Sequence, residues 1–267
     1  MLLLFNRPKV RQMKPLILVS NDDGITSKGI AVLIEAVKEM GEVFVLAPDS
    51  PNSGMGHAIT VDKTLHTKKS FIHEGIEAYE CSGTPADCVK LAKHEFLKGR
   101  KIDLVVSGVN HGHNASISVI YSGTMAAARE ASIEGIPAIG FSIDDFGYEA
   151  DFSHIKPYIL QICKAALKNG IPKHNALNVN FPKKSDEPIK GIKIVRQTDG
   201  FWKETFDARK DPYGRPYYWM GGEFLNHEPQ STDTDVWCME NNYVGIVPCH
   251  FDMTDYKSVK SLSEWEF

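Results

Sequence analysis

The sequence predicts an α/β protein built on a doubly wound, mostly parallel, Rossmann-like sheet, with a C-terminal β arm for oligomerisation. Three observations carry this. Short continuous apolar runs such as Leu16–Val19 and Leu104–Val106 read as strands covered on both faces. Segments with helical apolar spacing separate those runs, the alternation that a parallel sheet requires. Each run ends in a polar loop, and open α/β sheets bind ligands beyond the carboxyl ends of their strands.

The elements follow in order. Leu16–Val19 is the first strand and ends at Ser20-Asn21-Asp22-Asp23-Gly24. A helix is expected over about Gly29–Met40, with Ile30, Leu33, Ile34 and Val37 on one face. Val43–Ala47 is a second strand. The next helix starts near Pro85, where proline suits a first helical position, and carries Val89, Leu91, Ala92 and Phe96. Leu104-Val105-Val106 is a third strand, stopping at Ser107-Gly108-Val109-Asn110. A small-residue helix over Thr124–Ile133 leads to a strand at Pro137–Phe141. A helix around Ile155–Leu167 and a strand at Leu177–Phe181 complete the alternation.

After Pro182 the character changes. Residues 183–190 are polar, Ile192–Val195 is one clear strand, and Phe201–Pro229 is aromatic and rich in Gly and Pro without helical period. Residues 14–190 are therefore expected to form a Rossmann-like catalytic core. Residues 191–267 are expected to form an extended β arm and tail, and residues 1–13 a disordered leader. The arm has two readings: packing on another subunit, or a hairpin folded back on its own chain.

Composition removes several function classes. A chain with 42% hydrophobic and 24% charged residues is ordinary for a globular protein, which argues against disorder. The net charge of -4 offers no general attraction to a nucleic-acid polymer or an anionic membrane surface. No run approaches the roughly 20 apolar residues of a membrane span. Cys81, Cys88, Cys163, Cys238 and Cys249 are odd in number and form no CxxC pair, so reduced thiols in a cytoplasmic protein are expected.

The strand ends supply the candidate site. They collect Asn21, Asp22 and Asp23, then Asp49, Asn52 and Ser53, then Ser107, Asn110 and Asn114, and the helix start Ser122-Gly123-Thr124. Within a strand, Asp22 and Asp23 would point to opposite faces, but at its end Gly24 permits a turn that brings them together. Two anions held so close repel unless a cation lies between them, and hard oxygen ligands select Mg²⁺, Mn²⁺ or Ca²⁺ over zinc. The bland reading is that one aspartate caps the following helix and the other is solvated. Free N–H groups at the Ser122–Thr124 helix start suit a phosphate, and the bland reading there is a plain N-cap. Cys81-Ser82-Gly83-Thr84-Pro85 is a second, weaker anion loop. His111 and His113 alternate in a loop, but no third nitrogen or sulfur ligand stands at zinc spacing.

In order along the chain, Asn21-Asp22-Asp23-Gly24, Pro51-Asn52-Ser53-Gly54, Ser107-Gly108-Val109-Asn110-His111-Gly112-His113-Asn114 and Tyr121-Ser122-Gly123-Thr124 resemble the SurE (survival protein E) nucleotidase family. Cys81 to Cys88, Thr234-Asp235 and Pro248 to Thr254 are also similar to family segments. The resemblance implies one divalent cation per subunit, Mg or Mn, held by Asp22, Asp23, Ser53 and Asn110. It implies phosphate contacts from Asn114, Ser122, Gly123 and Thr124, and catalytic roles for Asp22, Asp23 and Asn110, with His250 a candidate proton donor. The implied activity is hydrolysis of nucleoside 5′- and 3′-monophosphates, with exopolyphosphatase as an alternative main activity. The implied assembly is a homodimer or tetramer. Two other classes stay open: a non-hydrolytic nucleotide-binding regulatory module, and a metal-dependent sugar-nucleotide transferase, which typically separates its aspartates by one residue.

Overall fold

The structure is a computed structural model and describes residues 14–147 and 149–267; the leader expected at 1–13 lies outside the described residues. In chain order, β1 (Leu16–Ser20) leads to α1 (Lys28–Val37), β2 (Glu42–Pro48), and a hairpin of β3 (Thr67–Ser70) and β4 (Glu77–Cys81). Next come α2 (Pro85–Leu91), prolonged by a π-helical turn at Ala92–Phe96, β5 (Leu104–His111), α3 (Ser118–Tyr121) and α4 (Gly123–Ile133). β6 (Ala138–Ile143), α5 (Lys156–Asn169), β7 (Asn175–Phe181) and β8 (Ile192–Ile194) follow. The arm strands β9 (Gly200–Lys210) and β10 (Pro216–Asn226) precede α6 (Asp235–Glu240), β11 (Val244–His250) and α7 (Tyr256–Leu262).

Among the described residues nine strands form the main sheet, in the order β3-β4-β2-β1-β5-β6-β7-β11-β8. The run from β4 to β7 is parallel throughout. β3 is antiparallel at one edge, and β11 is antiparallel to β7 near the other, where β8 pairs with it. This is the doubly wound α/β fold that the strand pattern predicts. The chain moves from β1 to β2 on one side and later places β5 on the other. That reversal opens a crevice between the carboxyl ends of β1 and β5.

Alternation along β1 builds both layers. Ile17 and Val19 pack with Ile30, Leu33, Ile34 and Val37 of α1, and with Ile159 and Cys163 of α5. Leu16 and Leu18 pack on the other face with Val89 of α2 and with Met125, Ala127, Ala128 and Ala131 of α4. The small residues of α4 let the helix lie close to the sheet; a Cβ on Gly140 would stand 2.4 Å from the Met125 sulfur. Side-chain hydroxyls cap two helix starts, α1 by Ser27 rather than by an aspartate. The Ser27 hydroxyl accepts from the Ile30 N–H, and Thr84 and Asp87 form a reciprocal capping box before Pro85.

Several elements depart from the sequence reading. β5 does not stop at Ser107 but runs on through Asn110, with a register shift against β6 between Ser107 and Asn110. The β3–β4 hairpin is polar and edge-placed, so it lacks the buried-strand signature. β11 carries Gly245 and Pro248, residues that argue against a strand by propensity. β8 pairs only with Val244–Ile246, so no partner on that side asks for an N–H from Pro248. β8 and β11 also carry the main sheet across residue 190, so the segment after it supplies sheet strands as well as the arm.

Among the described residues the arm is a hairpin paired with itself alone, in continuous register from Gly200↔Asn226 to Lys210↔Pro216. Its distal part leaves Phe206, Tyr218 and Met220 on one face and Trp219 on the other more than 60% exposed, so among the described residues that part is not folded onto its own body. Its base is fixed. Asp235, 1% exposed, accepts from the Thr198 N–H (2.9 Å) and hydroxyl (2.6 Å) and from the Ser116 N–H (2.9 Å). Trp202 Nε1–H donates to Ser118 Oγ at 3.0 Å.

Gly29 couples this framework to the crevice. A Cβ there would stand 1.9 Å from the Val109 carbonyl oxygen, a backbone atom with little freedom to yield. Gly29→Ala is expected to destabilise the protein by about 1–3 kcal/mol by overpacking α1 against β5. A thermal melt that superposes on the wild type would refute that coupling.

Candidate metal and phosphate site

Asp22 and Asp23 lie two and three residues beyond Ser20, which pairs with Ser107 of β5. Asn110 is three residues beyond Ser107 on that neighbouring strand, and strands pair about 4.8 Å apart, so the three residues share one crevice end. The turn after β1 is pinned by Asn21, 1% exposed, whose Nδ2 donates to the Gly24 carbonyl (2.8 Å) and to Ser27 Oγ (2.9 Å). Gly24 has φ of +91°, the left-handed region that glycine occupies without strain.

Asp22 is 4% exposed, and its Oδ1 accepts a 2.5 Å hydrogen bond from the Thr124 hydroxyl. The start of α4 therefore closes directly on the aspartate. Gly123 is required at that contact, because a Cβ would stand 2.7 Å from Asp22 Cβ. Burial, and after it the Asp23 charge, push the Asp22 carboxyl from 3.8 up to about 6, against the hydrogen bonds from Thr124. The positive end of the α4 dipole also favours an anion there. The loop after β2 joins on the backbone: Asn52 N–H donates to the Asp22 carbonyl at 2.7 Å and so brings exposed Ser53 to the same end.

Asn110 is oriented by two acceptors. Its Nδ2 donates to the carbonyls of His111 (2.9 Å) and Gly112 (2.8 Å), which leaves Oδ1 as its free acceptor. The register shift in β5 lets this side chain leave the regular alternation of the strand. Asp23 retains some exposure, and the imidazole beside it is His111. The His111 N–H makes a long 3.4 Å contact with Asp23 Oδ2, and Nδ1 lies 3.5 Å from the same oxygen. His113 points elsewhere, packed edge-on against Phe146, and burial lowers its pKa.

The phosphate-side residues divide by what their side chains already do. Ser122 caps α4, accepting from Met125 N–H at 3.0 Å, which is the plain N-cap reading. Thr124 is committed to Asp22. Asn114 is locked in an amide network: its N–H donates to Asn180 Oδ1 (2.8 Å), its Nδ2 to Ser142 Oγ (2.7 Å), and its carbonyl accepts from Asn178 Nδ2 (2.8 Å). Ser142 pairs with Asn110 across β5 and β6, so the network borders the crevice. Asn178 and Asn180 were missed from sequence. Their alternation within an otherwise apolar strand was the available signal.

His250 is not brought to the aspartates. β11 runs antiparallel, and His250 pairs with Asn175 at the amino end of β7, whereas Asp22 follows the carboxyl end of parallel β1. A strand of β7's length spans about 20 Å, which separates the two edges of the sheet. Its Nδ1 accepts instead from the Asp252 N–H at 2.9 Å.

The residues fit a hard divalent cation. Two carboxylates, one deeply buried and with its proton affinity raised, share the crevice end with the Asn110 amide and the Ser53 loop, an all-oxygen set. Among the described residues no three His, Cys, Asp or Glu side chains converge as a metal cluster.

Comparison with known proteins agrees with the motif order. Residues 17–204 match the family described as "Survival protein SurE". The chain is 60% identical over 255 residues to the "5'-nucleotidase SurE" of Cytophaga hutchinsonii, covering 95% of this chain and 98% of that protein. It is 56% identical over 254 residues to the protein of the same name from Flavobacterium psychrophilum, with coverage of 95% and 98%. Among solved structures, the SurE protein from Aquifex aeolicus superposes with a TM-score of 0.80 at 42% identity, covering 93% of this chain and 98% of that chain.

The paired carboxylates carry a stability signature. A carboxyl that binds its proton more tightly folded than unfolded makes the cation-free protein lose stability as pH rises from about 4 through 6, here by about 3 kcal/mol. Asp22→Asn removes that penalty. Without divalent cations at pH 8 the variant is expected to melt above the wild type, with the gap closing near pH 4. A variant that melts below the wild type at pH 8 would show that the charge is already compensated within the chain.

Proposed function

The chain belongs to the SurE family, and on that premise we propose that it is a 5′-nucleotidase, hydrolysing nucleoside 5′-monophosphates, and 3′-monophosphates with them, to nucleoside and phosphate. One observation carries the reading: the Thr124–Asp22 hydrogen bond sets a carboxylate pair, its Asp22 member buried, directly against the amino end of a helix. A pure phosphate binder gains nothing from anions in its pocket, which speaks against a regulatory module that binds without hydrolysis.

Asp22, Asp23, Asn110 through Oδ1 and Ser53 would hold one divalent cation, Mg or Mn. When bound, such an ion neutralises phosphate charge and acidifies a water molecule. The chain's own residues set the rest. Thr124 fixes the rotamer of Asp22, and Asn21 and Asn52 fix the backbone that carries the pair. The helix start at Gly123 offers the phosphoryl group a positive dipole end free of a Cβ. Asn114, held by Ser142 and Asn180, lines the same end, while the Ser122 and Thr124 side chains serve by shaping the helix start and orienting Asp22. Water is the favoured nucleophile because Asp22 is buried with one oxygen already hydrogen-bonded.

The assembly follows from the arm. A hairpin with Trp219, Tyr218 and Phe206 open to solvent fits packing on a second copy, and we assign it a homodimer or tetramer contact. The five cysteines are free thiols, which fits a cytoplasmic location, and no described helix is long and apolar enough to cross a membrane.

Phosphate release from AMP with Mn²⁺ or Mg²⁺ tests the activity. Release is expected to stop with EDTA and to fall at least about 100-fold in Asp23→Asn, whose fold should persist. EDTA-resistant turnover, or near-normal turnover by the variant, would sink the metal assignment; polyphosphate shortened faster than AMP would move the main activity to exopolyphosphatase. A single turnover in ¹⁸O-water should place the label in phosphate. Label in an enzyme carboxylate would instead make an aspartate, Asp23 being the more exposed, the nucleophile.

A further inference from the structure

His250 and Arg129 share a feature that the nucleotidase site leaves unused. An open cavity of about 600 Å³ lies along α4 facing β11; it runs from Val119 and Ile120, just ahead of the α4 start, to His250, whose end of β11 is at the opposite sheet edge from Asp22. Ile133, Val247, Phe251 and Met253 give it apolar walls, and His57 and His250 add imidazoles. The size suits a small organic ligand.

The charge inside it is unbalanced. Arg129 sits half-buried on α4, with its Nε shut off from solvent and without a hydrogen-bond partner. Among the described residues it makes no ion pair. The carboxylates nearby are committed elsewhere: Glu130 faces His57 at 2.9 Å and Lys90 at 2.7 Å. Arg196, also in the wall, is neutralised by Glu228 and Asp233. A guanidinium keeps its charge at any physiological pH, so its burial without a counter-charge costs stability until an anion arrives. Burial draws the Arg129 pKa down, the direction expected of a cation poorly compensated by its surroundings.

We propose that this cavity is a second ligand site, separate from the nucleotidase crevice, for a small organic anion whose carboxylate or phosphate group pairs with Arg129 and whose apolar body lies against Ile133 and Phe251. The guanidinium fork matches either oxyanion in a bidentate contact, and the walls supply the remaining binding surface. Nothing in the site asks for chemistry on the ligand, so binding is the whole of the proposal.

Benzoate and phenylphosphonate serve as probes on the full-length protein, with neutral benzyl alcohol as the control of equal shape. Titration calorimetry is run on wild type and on Asp23→Asn, the latter to separate phosphonate binding at the crevice. Both anions are expected to bind both proteins and benzyl alcohol neither; Arg129→Gln should weaken both anions at least about tenfold, and Arg129→Lys should retain part of the affinity. AMP hydrolysis by Arg129→Gln should match the wild type. Arg129→Met keeps the test open should Gln fold poorly: without ligand it should melt at or above wild type, and neither anion should shift it. Anion affinity unchanged in Arg129→Gln, or benzyl alcohol binding as well as benzoate, would overturn the site. So would dissociation of the oligomer on Arg129→Gln, which would make the counter-charge a carboxylate of a second copy of this chain.

Discussion

The hydrogen bond from Thr124 to Asp22 joins residues 102 positions apart, and the rest of the site is arranged around it. It forms only because β1 and β5 lie side by side and α4, packed on β5, β6 and β7, starts at their carboxyl ends. Bringing the helix that close puts a positive dipole end and two carboxylates into one small volume. Those carboxylates repel, and the repulsion, together with burial, raises the Asp22 pKa. The divalent cation proposed above would satisfy both the pair and an arriving phosphate.

Close packing enforces the arrangement through glycine. Gly123 lets the helix start touch Asp22, and Gly29 lets α1 touch Val109, the residue before Asn110. The crevice is thereby gripped from both layers, by α4 on one face and α1 on the other. Asparagines complete the support. Asn21 holds the β1 turn, Asn110 is aimed by two carbonyls, and Asn178 and Asn180 hold Asn114. Neutral amides can donate and accept at once, so they fix backbone beside a charged centre without adding charge of their own.

The far half of the molecule has a different character. Beyond β7 the sheet is finished by β11 and the short β8, and among the described residues the aromatic hairpin pairs only with itself. Asp235 ties that hairpin's base to Ser116, two residues beyond Asn114. The arm's foundation and the site loop are thus tied together through one buried carboxylate, although the arm's tip stands in solvent. On this half lies the cavity with an uncompensated arginine, beside the histidine that sequence motifs had placed at the site.

Local sequence determined the parallel α/β core and the aspartate pair, because continuous apolar runs and strand-end polar residues are properties of neighbours in the chain. Ordered motifs likewise determined the family. Tertiary structure alone decided which polar residues meet. That Thr124 serves Asp22, that Ser122 is spent on a cap, and that His111 stands beside Asp23 depend on strand order and register. His250 shows the limit most clearly: only the antiparallel direction of β11, set by pairing with β7, carries it to the opposite edge of the sheet. A strand's direction is fixed by what it pairs with, and no residue within the strand encodes it.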